Sequence, residues 1–180
     1  MKYCSACGKE VIVAIPPGDN LPRFVCEACG TIHYQNPRLV VGCVAEWQGR
    51  LLLCRRAIDP RKGFWTLPAG FMENGETTDQ AAARETAEEA LAEVEGLEPF
   101  ALVNVPHVDQ VHLMFRARLK DGKHAPGAES LETVLAEERD IPWGEIAFPS
   151  VRYTLERYLE DRRGGRFGFH ITTWEKPAGR

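Results

Sequence analysis

Residues 70–91 of the chain read GFMENGETTDQAAARETAEEAL, a segment rich in both helix-forming residues and negative charge. We call it the acidic segment. Six carboxylates share it with a single basic residue, Arg84. Like charges at helical spacing destabilise a helix by about 0.2–0.5 kcal/mol per pair, so this density of charge needs an explanation. A solvated helix face is one interpretation, and a site for a divalent cation is the other.

The acidic segment is predicted to contain an α-helix that begins at Thr78. Thr77 and Gln80 have the spacing of a capping box, in which each residue satisfies a backbone amide of the other. Three glutamates then project from nearly one helix face: Glu85, Glu88 and Glu89. Another face carries small residues that suit packing: Ala82, Thr86 and Ala90. Ligation by several carboxylate oxygens is what Mg²⁺ and Mn²⁺ prefer, so the clustered face favours a metal site.

Composition indicates a folded protein with an ordinary core. The 180 residues are 44% hydrophobic and 27% charged. A net charge of −4 and a pI near 5.8 give no bulk attraction to nucleic acid or anionic lipid. No run approaches the ~18 consecutive apolar residues of a membrane span, and MKYCSACGK lacks an apolar signal region. We therefore expect a cytoplasmic protein without a membrane partner.

The first cysteines of the chain have the spacing of a metal site. They form two CxxC pairs separated by eighteen residues: Cys4, Cys7, Cys26 and Cys29. This pattern is typical of a four-cysteine zinc site, in which thiolates fill the tetrahedral shell and leave no open position, so a structural Zn²⁺ is predicted. A redox CxxC pair is the alternative. The remaining cysteines lie in apolar runs and are expected to be buried, reduced thiols: Cys43 and Cys54.

The pattern along the chain divides it into a small cysteine-containing ribbon, 1–36, an alternating strand and helix region, 37–162, and a basic tail, 163–180. Within the second part, Gln48-Gly49 is predicted to form a hairpin turn between two β-rich runs. A final amphipathic helix is expected over Ser150–Arg162. Lysines and arginines balance the acids within the ribbon, which argues against nucleic-acid binding there.

The acidic segment resembles the Nudix signature, G-x5-E-x7-R-E-U-x-E-E-x-G-U. The informative positions that agree are Gly70, Glu76, Arg84, Glu85, Glu88 and Glu89. The positions that depart are Thr86, Leu91 and Ala92. Further stretches, IHYQNP, CRRAIDPRKGFWTLPAGFMENGE and IPWGEIAF, resemble zinc-ribbon Nudix hydrolases grouped with ADP-ribose and FAD pyrophosphatases. The segment SQPWPFPxS of NADH pyrophosphatases is missing, and VNVPHVDQVHLMF stands in its place.

The resemblance implies an α/β (α+β) fold, a Nudix α/β/α sandwich around a mixed sheet, preceded by a small N-terminal zinc ribbon. It also implies a homodimer. In this family the helix would end near Leu91 by a cap other than glycine. Propensity alone would carry the helix to Glu95, with Gly96 as its stop, because leucine resists the left-handed conformation by about 1–2 kcal/mol. We expect the earlier end.

The resemblance further implies a catalytic site that binds one or more Mg²⁺ or Mn²⁺. The metal ligands would be the glutamates Glu85, Glu88 and Glu89 and the backbone carbonyl of Gly70. An ion pair of Glu76 with Arg84 would orient Glu85. The general base varies in this family, which leaves three candidates, one in the acidic segment and two downstream: Glu85, Glu129 and Glu132.

Candidates for substrate contact are basic or aromatic residues outside the acidic segment. Arg55 and Arg56 could meet phosphates, although surface solvation is the ordinary explanation for such residues. Arg116 could face the cleft or a partner subunit. Trp65 could stack on a nucleotide ring or belong to the core.

The function expected is hydrolysis, by metal-activated water, of the pyrophosphate bond in an ADP-containing nucleoside diphosphate derivative, with ADP-ribose or FAD as the leading substrates. Two rivals share the reaction class: NADH pyrophosphatase and a house-cleaning hydrolase of nucleoside triphosphates. A rival of another class is a non-catalytic nucleotide sensor or a ribbon-mediated nucleic-acid-binding regulator. The complete set of acidic residues and the neutral ribbon argue against this last reading.

Overall fold

The structure, a computed structural model, describes residues 1–175. Contacts divide the chain into two compact units, 1–37 and a larger one that begins at Arg38. The first unit is an antiparallel sheet of short strands in the order β1-β2-β3. These strands are β1 (Ile12–Ala14), β2 (Arg23–Val25) and β3 (Ile32–His33).

The second unit is built on a mixed sheet, as predicted. Its strands run in the order β10-β5-β4-β9-β8-β11, with two short strands beside β5 and β4. They are β4 (Arg38–Trp47), β5 (Arg50–Arg56), β6 (Trp65–Thr66), β7 (Ala69–Phe71), β8 (Val94–Val105), β9 (Gln110–Leu119), β10 (Ser130–Ala136) and β11 (His170–Thr173). The β4–β9 and β8–β11 pairs are parallel, and the other pairs are antiparallel.

Helices cover both faces of this sheet, which confirms the sandwich. The side chains of β4 alternate: Val41, Cys43 and Ala45 pack in one apolar cluster and Val44 in the other. The first cluster includes small residues of α1 (Thr78–Ala90), and the second includes Leu155 and its neighbours from α2 (Pro149–Gly164). Because successive residues of a strand point to opposite faces, α1 and α2 lie on opposite sides of the sheet.

Two local predictions are confirmed. The β4–β5 hairpin turns at Gln48 and Gly49, whose φ angles of 49° and 80° are those of a type I′ turn. Helix α1 begins with a complete capping box, in which Gln80 Oε1 accepts from the Thr77 amide at 2.9 Å and Thr77 Oγ1 accepts from the Gln80 amide at 3.4 Å.

Helix α1 ends at Ala90, so the early end is confirmed and an end at Glu95 is excluded. Leu91 itself takes the left-handed conformation, with φ of 46°, and its amide donates to the carbonyl of Ala87. Leu91 thus makes the backbone bond of a left-handed cap, and a distant loop bonds two further carbonyls, those of Glu89 and Ala90. The amides of Ala125 and Gly127 donate to the last turn of α1.

The described residues after 162 include regular secondary structure. Helix α2 reaches Gly164, two residues beyond the predicted end, and strand β11 follows inside the expected tail, 163–180. Sequence patterns missed β11 because its stability comes from parallel pairing with residues 101–104 of β8, far away in the chain. Residues 176–180 lie outside the described residues. Neither α1 nor α2, within the part that the structure describes, is long and apolar enough to cross a membrane.

Candidate active site

Strand β7 brings the glycine of the acidic segment against a glutamate of α1. Gly70 pairs with Val41 of β4, and Glu85 is only 8% exposed. A Cβ built on Gly70 would lie 2.4 Å from the carboxylate atoms of Glu85, well inside van der Waals contact. Glycine is therefore required here by the position of the Glu85 carboxylate.

Arg84 connects the acids on either side of it. Its Nε and Nη2 donate to the carboxylate of Glu76 at 3.0 and 2.8 Å, a bidentate pair that keeps the pKa of Glu76 low, at about 2. Its Nη1 donates to Glu85 at 2.8 Å and to Glu88 at 3.0 Å. Nη2 also donates to the carbonyl of Phe71. The ion pair expected between Glu76 and Arg84 is present, and the same guanidinium holds Glu85.

Glu89 has a different environment. It is 6% exposed and lacks a salt bridge among the described residues, and its Oε2 accepts from the Ala69 amide at 3.1 Å. Burial, reinforced by the negative charges of Glu85 and Glu129, raises the pKa of Glu89 to about 7, against the opposing effects of the Ala69 amide and Arg56. Burial likewise raises the pKa of Glu85, although Arg84 opposes the shift.

These properties fit a divalent cation. Buried carboxylates are costly unless a positive charge compensates them, and Arg84 compensates Glu85 more than Glu89. The donors are oxygen atoms only, which suits Mg²⁺ or Mn²⁺. The carboxylates are nevertheless bonded to different protein groups, Glu85 and Glu88 to Arg84 and Glu89 to the Ala69 amide. Within residues 1–175, the cysteines alone form a group of three or more side chains whose ligand atoms all lie within 4.8 Å.

Of the downstream candidates for a general base, the structure brings Glu129 to the acidic segment. The charge of Glu129 contributes to the raised pKa values of both Glu85 and Glu89. Its backbone carbonyl accepts from the amide of Ala57 at 2.8 Å, which ties it to the end of β5. Glu132 lies on β10 and pairs at 3.6 Å with Arg55.

Arg56 is the predicted substrate residue whose charge reaches the acids, since it opposes the raised pKa of Glu89. Its Nε donates to the carbonyl of Pro60 at 2.9 Å, and its guanidinium carbon lies 5.0 Å from the centroid of the Phe148 ring. Phe148 was missed by the sequence analysis, because nothing in a lone aromatic before a helix indicates a cation–π contact. The Nε of Arg55 donates a hydrogen bond to the carbonyl of Gly63.

Two predicted substrate residues are engaged elsewhere. Trp65 is 9% exposed and packs in the core beside α2, which favours the core alternative over stacking on a nucleotide. Arg116 pairs with Glu98 and lies over the ring of Phe167, a partly buried member of the same core. Its neighbour Phe115 packs with α1, so Arg116 points to the α2 face.

The cysteine pairs form the predicted cluster. The sulfur of Cys4 lies 3.7 Å from that of Cys29, and Cys7 lies 3.5 Å from Cys26. A Zn–S distance of about 2.3 Å implies tetrahedral edges of about 3.8 Å, so the spacing fits Zn²⁺. Glycines with φ of 73° end both turns: Gly8 and Gly30. The other cysteines, Cys43 and Cys54, are buried free thiols as expected.

Comparison with known proteins extends these observations. Residues 36–147 match the family model described as NUDIX domain, and residues 2–35 match the one described as Nudix N-terminal, a zinc ribbon. The crystal structure of a NUDIX hydrolase from Nitrosomonas europaea is 54% identical, with a TM-score of 0.91, and the match covers 97% of this chain and 100% of that one.

Curated relatives carry more specific names. The NAD-capped RNA hydrolase NudC of Chromobacterium violaceum is 30% identical over 169 residues, which are 89% of this chain and 59% of the relative. The ADP-ribose pyrophosphatase of Methanocaldococcus jannaschii is 41% identical over 56 residues, 31% of this chain and 33% of the relative. The chain spans between 51% and 62% of the length of the NudC relatives it matches. A domain match over more than half of the sequence, joined to a ribbon match before it, shows that the chain belongs to the Nudix hydrolases, in the branch that carries an N-terminal zinc ribbon.

Proposed function

We propose that the chain hydrolyses the pyrophosphate bond of an ADP-containing nucleotide derivative, with ADP-ribose or FAD as the leading substrates. The observation that carries this proposal is the buried pair Glu85 and Glu89. Gly70 leaves room for the Glu85 carboxylate, and the charge of Arg56 acts on Glu89. Buried acids attract a cation, and a nearby arginine attracts an anion. A diphosphate held together with a divalent cation meets both requirements.

The metal-binding residues in this proposal are the glutamates Glu85, Glu88 and Glu89 and the carbonyl of Gly70. A bound Mg²⁺ or Mn²⁺ supplies charge neutralisation at the diphosphate and lowers the pKa of water. The protein prepares these ligands through two contacts: Arg84, itself held by Glu76, fixes the Glu85 carboxylate, and the Ala69 amide fixes that of Glu89. Such outer contacts typically contribute about 10–100-fold to metal affinity or activity.

Glu129 is the residue we propose as general base, to accept the proton of the attacking water. The negative charge of Glu129 contributes to the raised pKa values of Glu85 and Glu89. Its backbone carbonyl accepts a hydrogen bond from the Ala57 amide. Glu85 remains the candidate within the acidic segment. Glu132 is the weaker downstream candidate because Arg55 pairs with it.

Arg56 is the residue we propose to contact the diphosphate. Its Nε donates to the carbonyl of Pro60, and its guanidinium packs over the ring of Phe148. The terminal nitrogens of its guanidinium are the groups that would donate to phosphate oxygens, a geometry for which arginine is suited. Arg55 would support the same loop through Gly63.

A second candidate substrate is NAD-capped RNA. It is favoured by the NudC relative, which matches 89% of this chain. The ribbon itself has balanced charge, so binding of a long RNA backbone by residues 1–36 is not expected. NAD-capped RNA, NADH, ADP-ribose and FAD share an adenosine monophosphate moiety joined to a second group through a pyrophosphate bond. A site that recognises this shared part would accept several of them.

A hydrolysis panel tests the proposed function. Purified protein is incubated with Mg²⁺ or Mn²⁺ and with ADP-ribose, FAD, NADH, NAD-capped RNA or a nucleoside triphosphate, and the released nucleoside monophosphate is quantified. We expect metal-dependent release of AMP, fastest from ADP-ribose or FAD. Fastest release from NAD-capped RNA would favour the second candidate. Binding of one compound without turnover of any would show a nucleotide sensor instead of an enzyme.

The proposed assembly is a homodimer, as the family resemblance implies. Light scattering coupled to size-exclusion chromatography tests it: a mass near twice the 20.2 kDa of the chain is expected, and a mass of one chain at the concentration used in the hydrolysis assay would contradict it.

A further inference from the structure

The loop between β9 and β10, residues 120–129, is bonded to the end of helix α1 by its backbone. The amide of Ala125 donates to the carbonyl of Ala90 at 2.8 Å, and the amide of Gly127 donates to the carbonyl of Glu89 at 3.0 Å. These carbonyls belong to the last helical turn, whose acceptors lack partners inside the helix. We call this pair of hydrogen bonds the clamp.

Gly127 approaches α1 more closely than any side-chain-bearing residue could. A Cβ built on it would lie 1.7 Å from the carbonyl oxygen of Glu88 and 2.8 Å from its carbonyl carbon. These are backbone atoms of a helix, so they cannot rotate away as a flexible side chain would. Any other residue at position 127 must move the loop off the helix. The requirement is one of space, since the φ of Gly127 is not in the left-handed region.

Further contacts make the rest of the loop rigid. Gly122 lies against the indole of Trp47, close enough that a Cβ would come within 2.4 Å of it. His124 Nδ1 lies 2.8 Å from Thr133 Oγ1 of β10. These contacts hold the start of the loop, so we expect a displacement at residue 127 to move mainly the two residues that follow, the second of which is Glu129.

We propose that Gly127 is a positioning residue for Glu129, and that the clamp sets the place of the Glu129 carboxylate relative to the acids of α1. The proposal rests on the proposed function, in which Glu129 accepts a proton. The carbonyl of Gly127 also accepts from the Ser130 amide at 3.1 Å. Residues 127–130 therefore form a tight turn, and Glu129 is one of its two central residues. One glycine thus couples the metal-binding helix to the candidate base.

A double-mutant cycle tests the proposal. The variants are Gly127→Ala, Glu129→Gln and their combination, and kcat and KM for the best substrate of the panel are measured separately. We expect Gly127→Ala to lower kcat by about 10–100-fold with KM nearly unchanged, the size of effect that misplacement by about 1 Å produces. We expect Glu129→Gln to lower kcat by about 10²–10⁴-fold. In the Glu129→Gln background, Gly127→Ala should cause no further loss.

The matched control is Gly144→Ala, since a Cβ at Gly144 meets nothing within 4 Å; its kcat should equal that of the wild type. If Gly127→Ala fails to fold, Pro126→Gly replaces it in the cycle, because it loosens the loop between the clamping amides without adding an atom. A kcat unchanged by the loop variant, or a loss that multiplies with that of Glu129→Gln, would overturn the positioning role. Full activity of Glu129→Gln would overturn it too, whereas an inactive wild type would mean that the proposed function itself has failed.

Discussion

At the scale of single residues, the candidate site depends on how buried carboxylates are compensated. Glu85 shares the guanidinium of Arg84 with two other acids. Glu89 instead accepts one hydrogen bond from a backbone amide, and the positive charge that acts on it is that of Arg56, without a salt bridge. The pKa of Glu89 is accordingly raised to about 7, mainly by burial. An acid in this environment is unfavourable for the fold and useful as a cation ligand.

The glycine of the acidic segment provides a residue-scale prediction. Gly70→Ala would place a methyl group 2.4 Å from the carboxylate atoms of Glu85, so that the carboxylate must move. Because a displaced ligand weakens metal binding, we expect Mn²⁺ affinity and kcat to fall by about 10–100-fold. Calorimetric titration with Mn²⁺ measures the affinity. Gly144→Ala is the control, and a Gly70→Ala variant that binds Mn²⁺ like the wild type would contradict the argument.

At the scale of secondary-structure elements, helix α1 shows what can and cannot be read from sequence. Its start follows from Thr77 and Gln80, a signal contained within four residues, and the sequence predicts it to the residue. Its end depends on amides of Ala125 and Gly127, which lie more than thirty residues further along the chain. Only the resemblance to a family placed that end near Leu91.

The same distinction explains what else is not evident from the sequence. Strand β11 gives no local signal because it pairs with a strand some seventy residues earlier. The burial of Trp65 is not evident because a two-residue strand has no alternation from which burial could be judged. The direction of Arg116 is not evident because sequence shows which residues share a face of β9 but not which helix covers that face. The cysteine cluster is predictable because the spacing of its two CxxC pairs is fixed by local geometry.

Leu91 provides a prediction at the element scale. It holds a left-handed conformation that costs a leucine about 1–2 kcal/mol, and its side chain is 60% exposed, so little packing is lost on its removal. Glycine would also increase the conformational entropy of the unfolded chain, which opposes this gain by about 0.4–1 kcal/mol. We expect Leu91→Gly to raise the free energy of unfolding by about 0.5–1 kcal/mol in urea titration. A lower free energy of unfolding would mean that Leu91 contributes packing which its exposure does not suggest.

At the scale of the whole molecule, the two units owe their stability to different sources. The unit that begins at Arg38 has apolar clusters on both faces of its sheet. The unit of residues 1–37 has short strands and exposes Val13, Ile15 and Tyr34. A unit this small usually requires a metal or disulfides to fold, and its cysteines are free and clustered.

Metal removal tests this division. We expect one Zn²⁺ per chain by elemental analysis, and loss of the ion together with unfolding of residues 1–37 in Cys26→Ser, because ion binding and folding of such a unit are coupled. Cys54→Ser is the control, since Cys54 lies in the other unit and outside the cluster; it should retain the ion. Amide hydrogen exchange resolves the two units. Full protection of residues 1–37 in metal-free, reduced protein would contradict the prediction.

The central claim is that the buried acids of α1 hold a divalent cation for pyrophosphate hydrolysis. The most direct measurement is the kcat of Glu89→Gln for ADP-ribose in Mg²⁺, beside the wild type and the surface control Glu95→Gln. The substitution keeps the size of the side chain and removes its charge. We expect AMP formation by the wild type and the control, and a kcat lower by about 10²-fold or more in Glu89→Gln. Equal rates in Glu89→Gln and the wild type would contradict it.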